Sequence, residues 1–348
     1  MTSRDISFTS PSFRPNDFDG DGISDILWRN TADGIVDWTM NGGTIAASGF
    51  AMSNGVIVAP DASWSAAGLS NFDGDGRSDI LWRNTSGEVA VWLMNGAAIT
   101  SSADVTANGV AVRPDASWSV AGVGDFNGDG MSDVLWRNSS GEVAVWSMGG
   151  TTIAASADVT ANGAVVRPDA SWSVAGIGRF NGDNAGGNAD VLWRNSATGE
   201  LTVWFMSGSS IASSADLTLN GVAVRPDASW SIVAIDDFNN DKDADILWRN
   251  GDGTLTEWAL NGTAIGASGP ITFNGAVLAP DASWHVVEIG DFNGDGRSDI
   301  LWRNDSGALA EWLMSGNTVI SALAPSSNGI PITPDSSFVT QAKPTDFA

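Results

Sequence analysis

Short apolar runs alternate with Gly, Asn and Asp turn signals along the whole chain, and no helical periodicity is visible. In one stretch, Trp64–Ser70 and Ile80–Asn84 are apolar, and Glu88–Met94 alternates between two faces. Asn95-Gly96 is a strong turn signal, and a weaker apolar run, Ala97–Thr106, follows it. The pattern predicts four antiparallel strands in this stretch.

The same pattern occurs six times. The repeats start near residues 17, 71, 125, 179, 237 and 291. A regular internal period of this size indicates an array in which each repeat is one supersecondary unit. Four antiparallel strands repeated around a ring form a β-propeller. We therefore predict an all-β, six-bladed propeller that occupies residues 1–348 as one domain.

The two ends predict how the ring closes. Residues 334–338, Pro-Asp-Ser-Ser-Phe, repeat the Pro-Asp-Ala-Ser-Trp that precedes other repeats, so 334–348 begins a first strand with no blade after it. We expect residues near Phe338–Ala342 to complete the blade formed by residues 17–50, which lacks a clear first strand. The alternative is Ile6–Phe13, which Pro15 disfavours.

Each repeat begins with Asp-Phe-Asn-Gly-Asp-Gly-x-Ser-Asp or a variant of it. In the third copy, Gly130 stands at position 6, where a tight loop needs a left-handed backbone. Side chains with oxygen atoms stand at positions 1, 3, 5 and 9: Asp125, Asn127, Asp129 and Asp133. Such ligands suit Ca²⁺, and the carbonyl of Met131 at position 7 is the expected backbone ligand.

Two alternatives to this calcium loop have similar sequences. An EF-hand loop begins similarly, but it needs Glu at position 12 and helices on both sides, whereas position 12 here is Trp136 in an apolar run. A metal-free Asp/Asn/Gly turn is the other alternative. The recurrence of the pattern through the chain favours the metal loop.

Composition narrows the classes of partner. There are 41 acidic and 16 basic residues, and the formal net charge is -25, which argues against nucleic acid or an anionic membrane as a partner. Cysteine is absent, so no disulfide forms. Residues 1–16 contain no apolar signal-peptide core, and no stretch is long enough to predict a membrane span. We therefore expect that the chain is cytoplasmic, that it leaves by a signal not visible here, or that it is an excised piece of a longer protein. We assume a monomer.

Tryptophan is abundant, with 17 residues against no tyrosine, and the repeats account for this imbalance. Six lie in Leu-Trp-Arg-Asn, six precede the turn after the third strand, and five follow Asp-Ala-Ser. We expect most of them to pack between blades, and the Arg after each second-strand Trp to stack on a neighbouring ring or pair with an acid.

The nine-residue loop followed by an apolar strand resembles the FG-GAP, or VCBS, repeat. That repeat builds the calcium-binding propeller of integrin α subunits and of several secreted microbial proteins, including a fungal lectin. The resemblance covers residues 17 to about 346. It implies up to five Ca²⁺ ions, each in the hairpin between the first and second strands of a blade, in an extracellular or cell-surface protein.

The ligands implied by the resemblance can be named loop by loop. They are Asp17, Asp19, Asp21, Ile23 and Asp25; Asn71, Asp73, Asp75, Arg77 and Asp79; Asp125, Asn127, Asp129, Met131 and Asp133; Asp237, Asn239, Asp241, Asp243 and Asp245; and Asp291, Asn293, Asp295, Arg297 and Asp299. Asn71 is a weaker ligand, and Lys242 replaces Gly in the fifth loop. We expect the fourth loop to be empty, because Arg179 takes the first place and its guanidinium can pair with Asp183 or Asp190.

Three functions remain open. The first is a multivalent carbohydrate-binding protein that recognises cell-surface glycans through equivalent pockets. Its candidate ligand-binding residues come from the connections between blades: Arg113, Asp115, Trp118, Arg167, Asp169, Trp172, Arg225, Asp227 and Trp230. Against this, Ala59 and Ala279 replace the Arg elsewhere, and Pro-Asp-Ala-Ser is also a typical self-bonded turn.

The second function is a structural or adhesive module of a longer secreted protein. The third is an enzyme that acts on a sugar or ester, with its site where the repeats depart from one another. Those departures are Asp37, Glu257 and Glu311, which stand where three other blades have Val, together with His285 and Glu288. The alternative is that the three carboxylates lie on solvated strand faces, and that His285 is incidental.

Overall fold

The computed structural model describes residues 16–30, 34–181 and 187–340, and the secondary structure in these residues is entirely β. Six sheets form the blades of a ring, which confirms the predicted six-bladed propeller. Each blade contains four antiparallel strands, from the first at the channel to the fourth at the rim; they follow chain order in every blade except the one that contains Ile26–Asn30, whose first strand comes from the C-terminus.

The strands recur at equivalent places. First strands are Trp64–Ser70, Trp118–Gly124, Trp172–Gly178, Trp230–Asp236, Trp284–Gly290 and Phe338–Thr340. Second strands are Ile26–Asn30, Asp79–Asn84, Asp133–Asn138, Asp190–Asn195, Asp245–Asn250 and Asp299–Asn304. Third strands are Gly34–Met40, Val89–Asn95, Val143–Gly149, Leu201–Ser207, Leu255–Asn261 and Leu309–Ser315. Fourth strands are Ile45–Phe50, Ala98–Asp104, Thr152–Asp158, Ser210–Asp216, Ala264–Pro270 and Thr318–Leu323. Blades are numbered 1 to 6 from the one containing Ile26–Asn30.

The C-terminal strand closes the ring. Phe338–Thr340 pairs antiparallel with Ile26–Asn30, with Phe338 opposite Asn30 and Thr340 opposite Trp28. This confirms the closing strand for residues 338–340. Residues 341–348 and the alternative segment Ile6–Phe13 lie outside the described residues.

A short outer hairpin, which the sequence pattern did not indicate, follows each blade. Its two strands have only two residues each, too few to show alternation, and an Asn-Gly turn with positive φ at both residues joins them, as at Asn108 and Gly109. The first of the two strands pairs in parallel with the fourth strand of the next blade, as Thr106 does with Thr152. The hairpins thus link neighbouring blades. They are Met52–Ser53 with Val56–Ile57, Thr106–Ala107 with Val110–Ala111, Thr160–Ala161 with Ala164–Val165, Thr218–Leu219 with Val222–Ala223, Thr272–Phe273 with Ala276–Val277, and Ser326–Ser327 with Ile330–Pro331.

The hydrophobic core lies between blades, as predicted from the tryptophans. In the cluster between blades 5 and 6, Phe238 and Leu247 pack with Ile300 and Trp302. All six second-strand tryptophans are at most 1% exposed, and each packs on the third-strand tryptophan of its own blade at 4.6–5.1 Å between ring centroids. Near the channel, the small first-strand residues allow close approach, since a Cβ at Gly122 would lie 2.4 Å from Ile177 Cγ1.

Each second-strand arginine joins its blade to the next, which confirms the predicted stacking. The Arg83 guanidinium lies 5.1 Å from the ring centroid of Trp136 and donates hydrogen bonds to the backbone carbonyls of Trp118 and Asp115. The same arrangement occurs at all six interfaces. At the last interface, Arg303 stacks on Trp28 and donates to the carbonyl of Phe338, so it spans the closure of the ring.

Candidate metal centre and binding clefts

The six acidic loops are joined to one another around one end of the ring. The carbonyl oxygen at position 1 of each loop accepts a hydrogen bond from the N–H at position 8 of the next blade's loop. The donor and acceptor pairs, at 2.6–2.9 Å, are Ser78 and Asp17, Ser132 and Asn71, Ala189 and Asp125, Ala244 and Arg179, Ser298 and Asp237, and Ser24 and Asp291. A change in one loop therefore affects the position of its neighbours.

The loop backbone has the left-handed turns that the sequence predicts. Gly130 at position 6 has φ of 85°, and the equivalent Lys242 is held at 77°, where a side chain adds strain. The carboxylate at position 1 fixes this turn, because Asp125 accepts hydrogen bonds from the N–H groups of Gly128 at 2.7 Å and Gly130 at 2.8 Å.

Acidic side chains converge most closely in the first loop. Asp17, Asp19 and Asp21 each present a carboxylate oxygen, and these oxygens lie within 4.8 Å of one another. Burial raises the pKa of Asp17 and of Asp19, and the neighbouring loop carboxylates raise them further. Concentrated negative charge of this kind, with oxygen as the only ligand atom, fits a hard divalent cation.

The carboxylate at position 9 has a structural role in every blade. Asp133 is fully buried, and its two oxygens accept hydrogen bonds from the N–H groups of Phe126 at 3.1 Å and Met148 at 3.0 Å. Burial is the main cause that raises the pKa of this residue, to about 7 for Asp79 and Asp133, about 8 for Asp245 and Asp299, and about 9 for Asp25. The sequence did not indicate this tie between loop and third strand. Each oxygen keeps a second lone pair, so position 9 also remains a predicted calcium ligand.

The fourth loop keeps this tie although its first position is Arg179. Asp190 accepts hydrogen bonds from the N–H groups of Phe180 at 3.1 Å and Met206 at 2.9 Å. The Arg179 Nε donates to the carbonyl oxygen of Gly187 at 3.2 Å. Asp183, one of its two predicted partners, lies outside the described residues. That this loop holds no calcium stays a prediction.

Three third-strand carboxylates are buried, so the expectation that they lie on solvated faces is wrong. Asp37, Glu257 and Glu311 are 2%, 3% and 0% exposed. They occupy the places of Val91, Val145 and Val203, which are also buried and face the next blade. We call the interfaces 2/3, 3/4 and 4/5 the valine sector, and the interfaces 5/6, 6/1 and 1/2 the carboxylate sector. The alignment with three valines was the signal for burial.

The connections proposed as ligand sites are held by their own side chains. Asp115 Oδ1 accepts hydrogen bonds from Ser117 N–H at 2.8 Å and Ser117 Oγ at 2.5 Å, and these bonds, with the Arg83 charge, lower the pKa of Asp115. Asp169 and Asp227 have equivalent bonds. Arg113 pairs with Glu88, Arg167 with Glu142, and Arg225 with Glu200. These ion pairs lie at the three interfaces of the valine sector.

Two clefts open in the carboxylate sector, beside connections that lack this arginine. A cleft of about 320 Å³ at interface 5/6 is lined by Ala279, Asp281, Trp284 and Trp312 among others. One of about 380 Å³ at interface 6/1 is lined by Trp38, Thr333 and Phe338 among others. They occupy the same part of the blade as the predicted pockets, but in other blades.

The residues considered for an enzyme do not form one acid–base site within the described part of the chain. His285 is exposed, with Nε2 3.0 Å from Asp305 Oδ1. Glu288 is completely buried in the first strand of blade 6 and accepts a hydrogen bond from Asn16 Nδ2 at 2.9 Å. Asp37, Glu257 and Glu311 belong to three different blades.

Comparison with known proteins agrees with this architecture. A family model for FG-GAP-like repeats matches residues 71–136 and 237–302. Each match runs through one whole repeat, 2 or 5, and into the loop and second strand of the next. The chain carries FG-GAP-like repeats, and its remaining repeats have the same order of loop and strands. No curated protein has a significantly similar sequence.

Solved structures share the fold of this FG-GAP-like propeller. A chain of the Photorhabdus luminescens Tc holotoxin pore matches with a TM-score of 0.60 and 15% identity over 90% of this chain. This chain spans only 14% of the toxin chain. A chain of a nidogen/laminin complex matches with a TM-score of 0.49 and 12% identity over 92% of this chain and 99% of that one. At 15% identity, the likeness to the toxin chain extends to the fold alone. None of the described residues belongs to a helix that could cross a membrane.

Proposed function

We propose that this FG-GAP-like propeller is a calcium-stabilised extracellular binding module, with carbohydrate as its ligand. The observation that carries the calcium part is the set of acidic loops joined by backbone hydrogen bonds around one end of the ring. The first loop brings three carboxylates within reach of one ion. Asp17, Asp19, Asp21 and Asp25, and their counterparts in loops 2, 3, 5 and 6, would hold the ions, and loop 4 would hold none.

Calcium would stabilise the folded ring in two ways. It would neutralise carboxylates that repel one another, and it would bind the folded loops in preference to the unfolded chain. An ion at a hundred times its dissociation constant contributes about 2.7 kcal/mol per site to the free energy of unfolding. Because the loops are joined, ordering one loop also orders the contacts of the next.

The carbohydrate part rests on the two clefts of the carboxylate sector. Each is lined by a half-buried tryptophan, Trp312 or Trp38, and by the polar Pro-Asp connection. Aromatic faces beside a few polar groups suit sugar rings, whose C–H faces are apolar and whose edges carry hydroxyls. Two related clefts on one ring would raise the affinity for a repetitive glycan surface through avidity.

The second candidate function is a structural or adhesive module of a longer secreted protein. The observation that favours it is the toxin chain, in which a propeller of this shape accounts for a small part of the whole. In that case a protein partner, and no glycan, would bind the ring.

Two measurements test the proposal. Calorimetric titration of chelator-stripped protein should give four or five calcium sites and a large rise in melting temperature; no heat of binding and an unchanged melt would overturn the calcium part.

A broad glycan array should then give binding that Ala279→Arg and Thr333→Arg abolish, because each arginine would fill a cleft as Arg113 does elsewhere.

The matched control is Ser156→Arg, which adds the same charge on an exposed fourth-strand residue and should leave glycan binding unchanged. A blank array, with binding to cells or to an extracellular protein instead, would favour the adhesive module.

A further inference from the structure

We propose that Asp37, Glu257 and Glu311 each add a carboxylate ligand to the calcium loop of their own blade, so that the ring holds two classes of calcium site. This inference rests on the calcium binding proposed above. The stronger class would be loops 1, 5 and 6, in the carboxylate sector, and the weaker class loops 2 and 3, in the valine sector.

The first argument is that these carboxylates are buried with few hydrogen-bond partners. Both carboxylate oxygens of Glu257, and Oδ1 of Asp37, are inaccessible to solvent and accept no hydrogen bond. The Glu311 oxygens are also inaccessible, and the backbone N–H of Gly43 lies close enough to lower the pKa of this carboxyl. An ionised carboxylate without a partner costs several kcal/mol when it leaves water. Buried charges are therefore paired or coordinate a metal, and in the described part of the chain no basic side chain forms an ion pair with these three.

The second argument is their position beside the loops. A Cβ placed on Gly96, in the turn of blade 2, would lie 3.9 Å from Asp37 Oδ2 and 3.7 Å from the Cβ of Asp19, the ligand at position 3 of loop 1. Asp37 and Asp19 therefore flank the same glycine.

Glu311 and Glu257 also lie beside glycines in the third-to-fourth strand turn of the next blade. A Cβ on Gly43 would lie 3.7 Å from Glu311 Oε1, and one on the adjacent Gly42 3.7 Å from the Cβ of Asn293, position 3 of loop 6. A Cβ on Gly316 would lie 3.8 Å from Glu257 Oε2. Asp37 and Glu311 thus lie between the acidic loop of their own blade and the third-to-fourth strand turn of the next, and Glu257 lies beside the equivalent turn of blade 6.

Electrostatics agree with this placement. Burial raises the pKa of Glu257 to about 7, and the next largest causes are the charges of Asp241 and Asp237, positions 5 and 1 of loop 5. Burial likewise raises the pKa of Asp37 to about 7, followed by the charges of Asp19 and Asp17. Glu257 and Asp37 therefore lie in the field of the proposed calcium ligands, where a divalent cation would offset the repulsion. For Glu311 burial is the main cause of the raised pKa, and the Gly43 N–H lowers it.

The valine sector provides the comparison within one molecule. Val91, Val145 and Val203 fill the equivalent space with apolar atoms and are at most 1% exposed. Loops 2 and 3 consequently have only their own side-chain oxygens, whereas loops 1, 5 and 6 have one carboxylate more. Calcium affinity rises with the number of charged ligands.

The test uses the triple variant Asp37→Asn, Glu257→Gln and Glu311→Gln, which keeps side-chain size and removes the three charges. Chelator-stripped wild-type protein titrated with CaCl₂ by calorimetry at pH 7.5 should bind about five ions, three of them more tightly. In the triple variant the three tight sites should weaken about tenfold or more. Asp129→Asn, in loop 3 of the valine sector, is the matched control and should weaken a weaker site only.

Melting separates a ligand role from a folding defect. Because the amides remove buried charges, the metal-free triple variant should melt at or above the metal-free wild type, and its gain from calcium should be smaller. Tight sites that persist in the triple variant, or five equal sites in the wild type, would overturn this inference and leave the proposed function intact. No calcium binding by the wild type would overturn both.

Discussion

Two halves of this propeller share one backbone but differ in the chemistry between blades. At the three interfaces of the valine sector, Val91, Val145 and Val203 are buried, and an exposed Arg–Glu pair bridges the outer side of the blades. At the three interfaces of the carboxylate sector, Asp37, Glu257 and Glu311 are buried, and Thr254, Ala308 and Gly34 stand where the other sector has the paired Glu. The two sets change together, and each sector is contiguous in the ring.

The comparison of the two sectors separates the contacts that hold every blade interface together from the residues that differ between interfaces. The packed tryptophan and the stacked arginine are present at all six interfaces, so they are sufficient for the ring itself. Buried carboxylates lower stability unless something compensates them. If the proposed calcium sites exist, the carboxylate sector would depend on its ions and on pH, whereas the valine sector would depend mainly on packing.

The largest effect is expected from transferring the carboxylate into the valine sector. Val145→Glu would bury a charge beside loop 3, and without metal it should lower the free energy of unfolding by about 3 kcal/mol or more. Calcium should recover much of this loss, because the ion at Asp125 and Asp129 would become the partner of the new carboxylate. Chemical denaturation with and without calcium measures both quantities.

Val145→Gln is the control for this transfer, since it has the same size and no charge. The loss in the free energy of unfolding caused by Val145→Gln should be similar with and without calcium. If calcium restores the stability of Val145→Gln as well as that of Val145→Glu, the third-strand position has no electrostatic interaction with loop 3, and the two sectors differ in packing alone.

The next effect concerns Glu288, a buried carboxylate where the valine sector has Gly68, Gly122 and Gly176. Burial raises its pKa well above the usual value, so the folded protein holds this proton more strongly than the unfolded chain. The contribution of protonated Glu288 to the free energy of unfolding is fully present below about pH 4.5. It is lost as the pH rises toward the pKa of Glu288 in the folded protein.

Glu288→Gln cannot ionise and keeps an acceptor for Asn16. The variant should match the wild type near pH 4 and exceed its free energy of unfolding by up to about 1.4 kcal/mol for each pH unit above that. Parallel pH profiles for Glu288→Gln and the wild type would show that this carboxyl is compensated in the folded protein.

The sequence was sufficient for the features that repeat. The six loops, the strand order and the closing Phe338 follow from alignment of the chain with itself, because similar local sequences form similar local structure. The burial of Glu257 was not predicted, because a charged residue on a strand is usually solvated. Its alignment with the buried Val145 was the signal that indicated burial. The clefts could not be predicted either, because they lie at interfaces that lack the Arg113–Glu88 ion pair. The two residues of this pair are 25 positions apart in the chain, so the sequence pattern does not show that they meet.

A medium effect should come from overpacking the valine sector near the channel. Gly122→Ala would place Cβ 2.4 Å from Ile177 Cγ1 and should cost about 1–3 kcal/mol in thermal or chemical unfolding. Gly266→Ala is the control, because the nearest atom to its Cβ would be 3.7 Å away. Ile177→Ala combined with Gly122→Ala should cost less than the two single losses added together; strict additivity would mean that the two side chains do not meet.

The smallest effect on stability, and the most informative about function, is expected from Arg113→Ala. Its pair with Glu88 is more than half exposed on the arginine side and contributes at most about 1 kcal/mol, so melting should hardly change. Removal of the side chain should open interface 2/3 in the manner of the Ala279 and Thr333 clefts. If those clefts bind glycan, Arg113→Ala should gain one binding site, measured as ligand stoichiometry by calorimetry. Glu88→Gln breaks the same ion pair while keeping the arginine in place, so a gain in Arg113→Ala alone assigns the effect to the space that the arginine fills.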